Sequence, residues 1–156
     1  MLIALLEQIE ASVPVRLIVT VPWIYPALSA LHILGIATLF GSIAVADLRL
    51  MGLLGRDLDS ALPTLVRIAL VGFVLAASTG SLLVSVRITS YAGNPAFLMK
   101  MAILSVAGLN ALVLRLGHLG VDLSAIVGTG RAQLSAIMSL LLWISAVFAG
   151  RWIPFI

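Results

Sequence analysis

Thirty consecutive residues, 17–46, carry no charged side chain, and a single histidine, His32, lies midway along them. A helix needs about 20 apolar residues to cross the hydrocarbon of a bilayer. In lipid the backbone must satisfy its own hydrogen bonds, so an isolated segment of this kind is helical. An ionisable group in its interior is costly unless a partner or a bound group accepts it. Two further runs behave alike: nineteen uncharged residues lie between Arg67 and Arg87, and nineteen between Arg131 and Arg151. Charged residues make up only 10% of the chain and hydrophobic ones 62%, whereas soluble domains carry about 25% charge. The mean hydropathy is +1.24. The chain reads as an integral membrane protein.

The net charge of +3 comes from nine basic and six acidic residues. The basic residues stand singly at segment ends, so the high pI is no sign of nucleic-acid binding. The absence of cysteine excludes disulfides, thiolate metal sites and covalent haem attachment.

Residues 2–12 place Leu2, Leu5, Leu6 and Ile9 on one helical face, with Glu7, Gln8 and Glu10 largely off it. That pattern predicts a short amphipathic helix lying in the interface or capping the bundle, ended by Pro14. Acidic residues and the lack of a basic leader speak against a cleaved signal peptide. Four spans follow, at about residues 22–46, 68–86, 96–119 and 132–150. The third must extend past both its charges, because the fourteen residues between Lys100 and Arg115 rise only about 21 Å as a helix. Loops are expected at 47–67, 88–95 (with the turn signal Gly93-Asn94-Pro95) and 120–130.

The expected fold is all-α: a single-domain, integral membrane four-helix bundle running up-down-up-down behind a short amphipathic helix. Both termini and residues 88–95 then share one end, face A, and the loops 47–67 and 120–130 share the other, face B. Five basic residues near face B (Arg49, Arg56, Arg67, Arg115, Arg131) against four near face A (Arg16, Arg87, Lys100, Arg151) place face B in the cytoplasm and the termini in the periplasm. Trp23, Tyr25, Tyr91 and Trp152 form an aromatic belt at face A. The expected setting is a bacterial inner membrane, with the bilayer as one partner and a homo-oligomer or larger complex as another.

Few residues can carry chemistry. Counting depth along parallel helices, His32 lies about 14 Å and His118 about 32 Å from face A. A gap of about 18 Å prevents both from ligating one iron, and His118 reads as an interfacial residue at face B. His32 shares its depth with Ser78, Thr79, Val106 and Trp143. Two roles are open to it. It can be a buried imidazole satisfied by the hydroxyls of the Ser78-Thr79-Gly80-Ser81 run. It can equally be an axial ligand of a flat cofactor, b-type haem, whose carboxylates Lys100, Arg87 or Arg151 would hold near face A. Asn110 reads mainly as an interhelical hydrogen-bonding residue. Asp47 is expected to pair with an arginine of a neighbouring helix. No three-ligand metal site, nucleophile elbow, phosphate loop or carboxylate pair is visible, so no enzymatic reaction is identified.

The set Trp23, Tyr25-Pro26, His32, Gly35, Gly41, Asp47-Leu48-Arg49-Leu50, Thr79-Gly80, Tyr91, Asn94, Phe97, Lys100, Asn110, Arg131, Ser139, Trp143 and Gly150-Arg151-Trp152 resembles a family of small bacterial four-helix membrane proteins without an assigned function. More distantly, a histidine early in the first span and a lysine opening the third are similar to CopD-like copper-resistance proteins and HemJ-type protoporphyrinogen oxidases. The latter resemblance implies b-type haem, with His32 and Lys100 at matching positions. Relatives are expected to carry a histidine about five residues after Asn110, where this chain has Arg115. The two functional expectations are a haem-associated membrane redox or electron-transfer protein with His32 on the iron, and a cofactor-free accessory or scaffold subunit in which His32 and Asn110 fasten helices.

Overall fold

The computed structural model describes residues 1–117 and 122–155, and among them every regular element is helical. Two short helices, α1 (Leu2–Glu10) and α2 (Val13–Thr20), precede α3 (Ile24–Leu50) and α4 (Leu62–Ser85). A one-turn helix α5 (Ile88–Ala92) leads into α6 (Pro95–Gly117), and α7 (Gly130–Trp152) completes the set. Single 3₁₀ turns cover Arg56–Ala61, Leu123–Ile126 and Ile153–Phe155. Helices α3, α4, α6 and α7 are each long and apolar enough to cross a membrane, which marks a multi-pass membrane protein.

Several boundaries depart from those expected, each for a local reason. Pro14 starts α2 rather than ending α1, because proline is tolerated in the first turn, where its missing N–H has no helical partner. Pro63 does the same for α4, which begins at Leu62 and not near residue 68. Helix α3 continues through Asp47 and Arg49 to Leu50, beyond the expected end at 46. Its stop signal is Gly52, at φ +83°. The Gly52 N–H donates to the Arg49 carbonyl at 2.9 Å and the Leu53 N–H to that of Leu48 at 3.0 Å. That is the Schellman closure, which needs a left-handed residue and so favours glycine. Residues 88–95 hold α5 and a turn rather than only a loop. There Asn94 caps α6, its Oδ1 accepting from the Phe97 N–H at 3.0 Å with Pro95 in the first turn.

Helices α3 and α4 make the most extensive contact, backbone against backbone. A Cβ on Gly35 would stand 2.7 Å from the Ala76 nitrogen, and one on Gly72 would stand 2.6 Å from the Leu39 nitrogen. Residues 32, 35 and 39 thus meet 80, 76 and 72 in descending order, so the pair is antiparallel. Small residues permit this approach where the hydrophobic effect cannot drive association. Asn110 against Ser135 and Lys100 against Gly150 set α6 antiparallel to α7. Leu50 packed with Ala132 and Ala136 brings the last turn of α3 against the start of α7. The α4–α6 side has no comparable contact.

At face B, Leu50, Ile126, Ala132 and Ala136 form a small core. At face A, the Glu10 carboxylate accepts from the Thr89 N–H at 2.9 Å and the Thr89 hydroxyl at 2.6 Å, tying α1 to α5. The Asn94 amide donates to the Ile153 carbonyl at 3.1 Å and brings the C-terminal turn to the same end. Ile3, Leu5 and Ile9 of α1 stay exposed, as an interfacial helix requires.

Gly72→Leu should destabilise the folded protein in detergent by about 1–3 kcal/mol or more through overpacking, while Gly41→Ala, with nothing within 4 Å of the new Cβ, should be near neutral. Thermal unfolding compares them. The Thr89 bonds hold Glu10 below the ordinary carboxylate pKa of 4.5. A depressed folded-state pKa means the tie is complete above the ordinary value and is lost as pH falls through the lower one. Hydrogen-exchange protection of α1, taken relative to the intrinsic exchange rate at each pH, should therefore be constant from neutral pH to about 5 and fall only below the carboxylate range. Glu10→Gln should abolish that acid step.

Candidate functional site

The imidazole of His32 is seated on α4. Its Nδ1 lies 2.8 Å from the Ala76 carbonyl oxygen and 3.3 Å from Thr79 Oγ1. The Thr79 hydroxyl donates its proton to the Leu75 carbonyl at 2.6 Å, so it can only accept from the histidine. Both contacts therefore place the proton on Nδ1, which leaves Nε2 with its lone pair. The ring rests on Gly80, where a Cβ would come within 2.8 Å of His32 Cε1. Residues 72, 76 and 80 form one small-residue stripe at four-residue spacing. Its first two members seat α3, and the third seats the histidine ring.

Lys100 faces this region from α6. Its side chain crosses Gly150 of α7, where an added Cβ would stand 3.0 Å from Nζ. The ammonium is close enough for its charge to act on His32. Four helices thus contribute to one locus near face A: α3 the imidazole, α4 its seat, α6 the cation and α7 the space for that cation.

The other expected members are dispersed. Ser78 points outward and bonds to the Val74 and Leu75 carbonyls of its own helix. Thr79, only 5% exposed, is the hydroxyl that reaches His32. Arg87 is exposed beyond α4 and lines a separate cavity with Tyr25 and Tyr91. Arg151 lies over the Phe155 ring at 5.7 Å. Trp143 is half-buried on α7, about two turns from Gly150, and Val106 is exposed. His118 lies outside the described residues. Gly80 and Gly150 were not anticipated as site residues; their relation to His32 and Lys100 depends on how the helices pair.

Asn110 is a clasp between α6 and α7. Its amide donates to the Ser135 carbonyl at 2.9 Å, and the Ser135 hydroxyl donates to its Oδ1 at 3.1 Å. The expected ion pair of Asp47 is replaced by another. Arg49, 5% exposed, donates from Nε to Asp59 Oδ1 at 2.7 Å and from a terminal nitrogen to the Leu54 carbonyl at 3.1 Å. Two residues apart on a helix, Asp47 and Arg49 point in different directions. Asp47 turns instead to Ser139 of α7, and its Oδ2 is buried without a hydrogen-bond partner. Among the described residues no three His, Cys, Asp or Glu side chains group as metal ligands.

Arg49→Met should cost about 1–3 kcal/mol, since Asp59 and the Leu54 carbonyl lose their donor. Asp47→Asn should be neutral or stabilising by about 1 kcal/mol, because an amide tolerates a partnerless buried position better than a carboxylate does. Thermal unfolding of the two variants in the same detergent checks the contrast.

No curated protein and no solved structure matches the chain, and the comparisons do not extend to CopD-like or HemJ-type proteins. A family model matches residues 6–156, almost the full length. The chain belongs to the family of unknown function DUF6644.

Proposed function

We propose that this protein is a multi-pass membrane haem protein of redox or electron-transfer function, with His32 as the protein's ligand to a b-type haem. The observation that carries the reading is the Nδ1 contact to the Ala76 carbonyl at 2.8 Å. Metal-ligating histidines almost always donate their second ring N–H to a carbonyl or carboxylate, which fixes the tautomer and raises the basicity of the free nitrogen. His32 is arranged in that way. Porphyrin supplies four nitrogens of its own, so one imidazole is a sufficient protein donor. Bound haem would supply reversible one-electron chemistry, tuned by this ligand and by burial.

The fit has a defined side. The α3–α4 seam is closed by the Gly35 and Gly72 contacts, so no macrocycle enters there. The α4–α6 side lacks comparable packing, so a macrocycle would have to approach His32 from there. Lys100 would supply a cation for a propionate, whereas Arg87 lines a separate cavity and Arg151 lies over Phe155. The likeness of His32 and Lys100 to the haem-associated positions of HemJ-type proteins supports the same reading. In this reading the protein sits in a bacterial inner membrane with face B cytoplasmic, the helices run up-down-up-down, and the exposed apolar faces meet lipid or further subunits.

Protein purified in mild detergent, or reconstituted with haem, should show a Soret band that shifts on reduction. His32→Ala should abolish it, and Lys100→Met should weaken haem retention. Absence of a Soret band after reconstitution would overturn the proposal.

A second reading is favoured by one specific observation: His32 and Asn110 both form interhelical hydrogen bonds that need no ligand. In a cofactor-free accessory subunit, His32→Gln would lower thermal stability by about 1 kcal/mol. The wild type would then show no haem spectrum to lose.

A further inference from the structure

We propose that the cavity at the face A end, between α2, the start of α3 and the α4–α5 junction, binds the phosphate headgroup of an anionic phospholipid. This site is separate from His32 and does not depend on haem binding.

The cavity measures about 340 Å³, within the range of about 300–1,000 Å³ usual for small-molecule sites. Ile18, Leu83 and Val86 supply apolar wall, and Arg87, Tyr25 and Tyr91 supply the polar groups. That combination suits an amphipathic ligand with an anionic head. The depth is also right. Trp23, Tyr25 and Trp152 are exposed at this end, and such residues collect at the level of lipid headgroups. Arg87 follows directly on the last residues of α4, where a spanning helix emerges from hydrocarbon.

Charge selects the ligand. Among the described residues the ion pair is Arg49 with Asp59, at the opposite end. Glu10 is close enough to act on Arg87, but its carboxylate is directed to the Thr89 N–H and hydroxyl. The Arg87 guanidinium thus keeps its donors for an outside anion, and a guanidinium matches phosphate oxygens in a bidentate fork. Tyrosine hydroxyls from α3 and α5 can donate to the same oxygens. A zwitterionic lipid offers the same phosphate but adds a cation that opposes Arg87, so a net-anionic headgroup is preferred.

The full chain in neutral detergent would be titrated with phosphatidylglycerol, phosphatidylcholine and glycerol 3-phosphate, with bound lipid read by native mass spectrometry. Phosphatidylglycerol is expected to bind about fivefold more tightly than phosphatidylcholine, the increment typical of one interfacial basic residue. Arg87→Gln should erase that preference, and Tyr91→Phe should weaken phosphatidylglycerol binding without erasing it. Equal affinity for both lipids would overturn the proposal, as would a preference unchanged in Arg87→Gln. Glycerol 3-phosphate binding as tightly as phosphatidylglycerol would overturn the lipid assignment and identify a soluble-anion site.

Discussion

The close approach of α3 and α4 is the contact on which the rest of the structure depends. In lipid two apolar helices gain little by merely touching, since acyl chains solvate leucine as well as another leucine does. Glycine at 35 and 72 changes that by bringing the two backbones together, with a prospective Cβ only 2.7 Å or 2.6 Å from the facing chain. Dispersion contacts then accumulate along the seam. Two turns beyond Gly72 on the same stripe, Gly80 leaves room for an imidazole, and the Ala76 carbonyl is within its reach. The geometry of His32 is thus a consequence of helix packing.

Polar groups inside the spans are distributed by the same logic. Asn110 bonds Ser135 of α7 through both its amide and its carbonyl oxygen, and Arg49 is paired at the face B end. His32 is engaged through one nitrogen only, with the other available. That asymmetry separates it from Asn110, whose amide and carbonyl oxygen both bond Ser135 across the α6–α7 interface. It is also why one site supports two readings: the bond that would orient an iron ligand is equally a bond between two helices.

Much of the architecture was legible in the residues, and the exceptions are physically specific. The four long helices follow from uncharged runs long enough to span hydrocarbon. Their ends were harder: Pro14, expected to end α1, opens α2, and Pro63, inside the expected loop 47–67, opens α4. Asp47 and Arg49 suggested a loop by their charge, yet both are buried in the last turns of α3. Charge marks a boundary only if nothing nearby neutralises it, and Asp59, ten residues on, does so for Arg49. Gly52, which does stop the helix, was present in the sequence, but its meaning depends on a left-handed φ.

The residues alone settle the class of molecule and its membrane-length helices. These follow from composition, run length and the fixed rise of a helix, none of which depends on how helices meet. Tertiary structure decided the partners. It selected Thr79 over Ser78, brought Lys100 across Gly150 toward His32, and sent Arg87 and Arg151 to other places. Depth along a helix can be counted from sequence. Rotation about the axis, which decides what a side chain touches, is set only when small residues lock one helix against another.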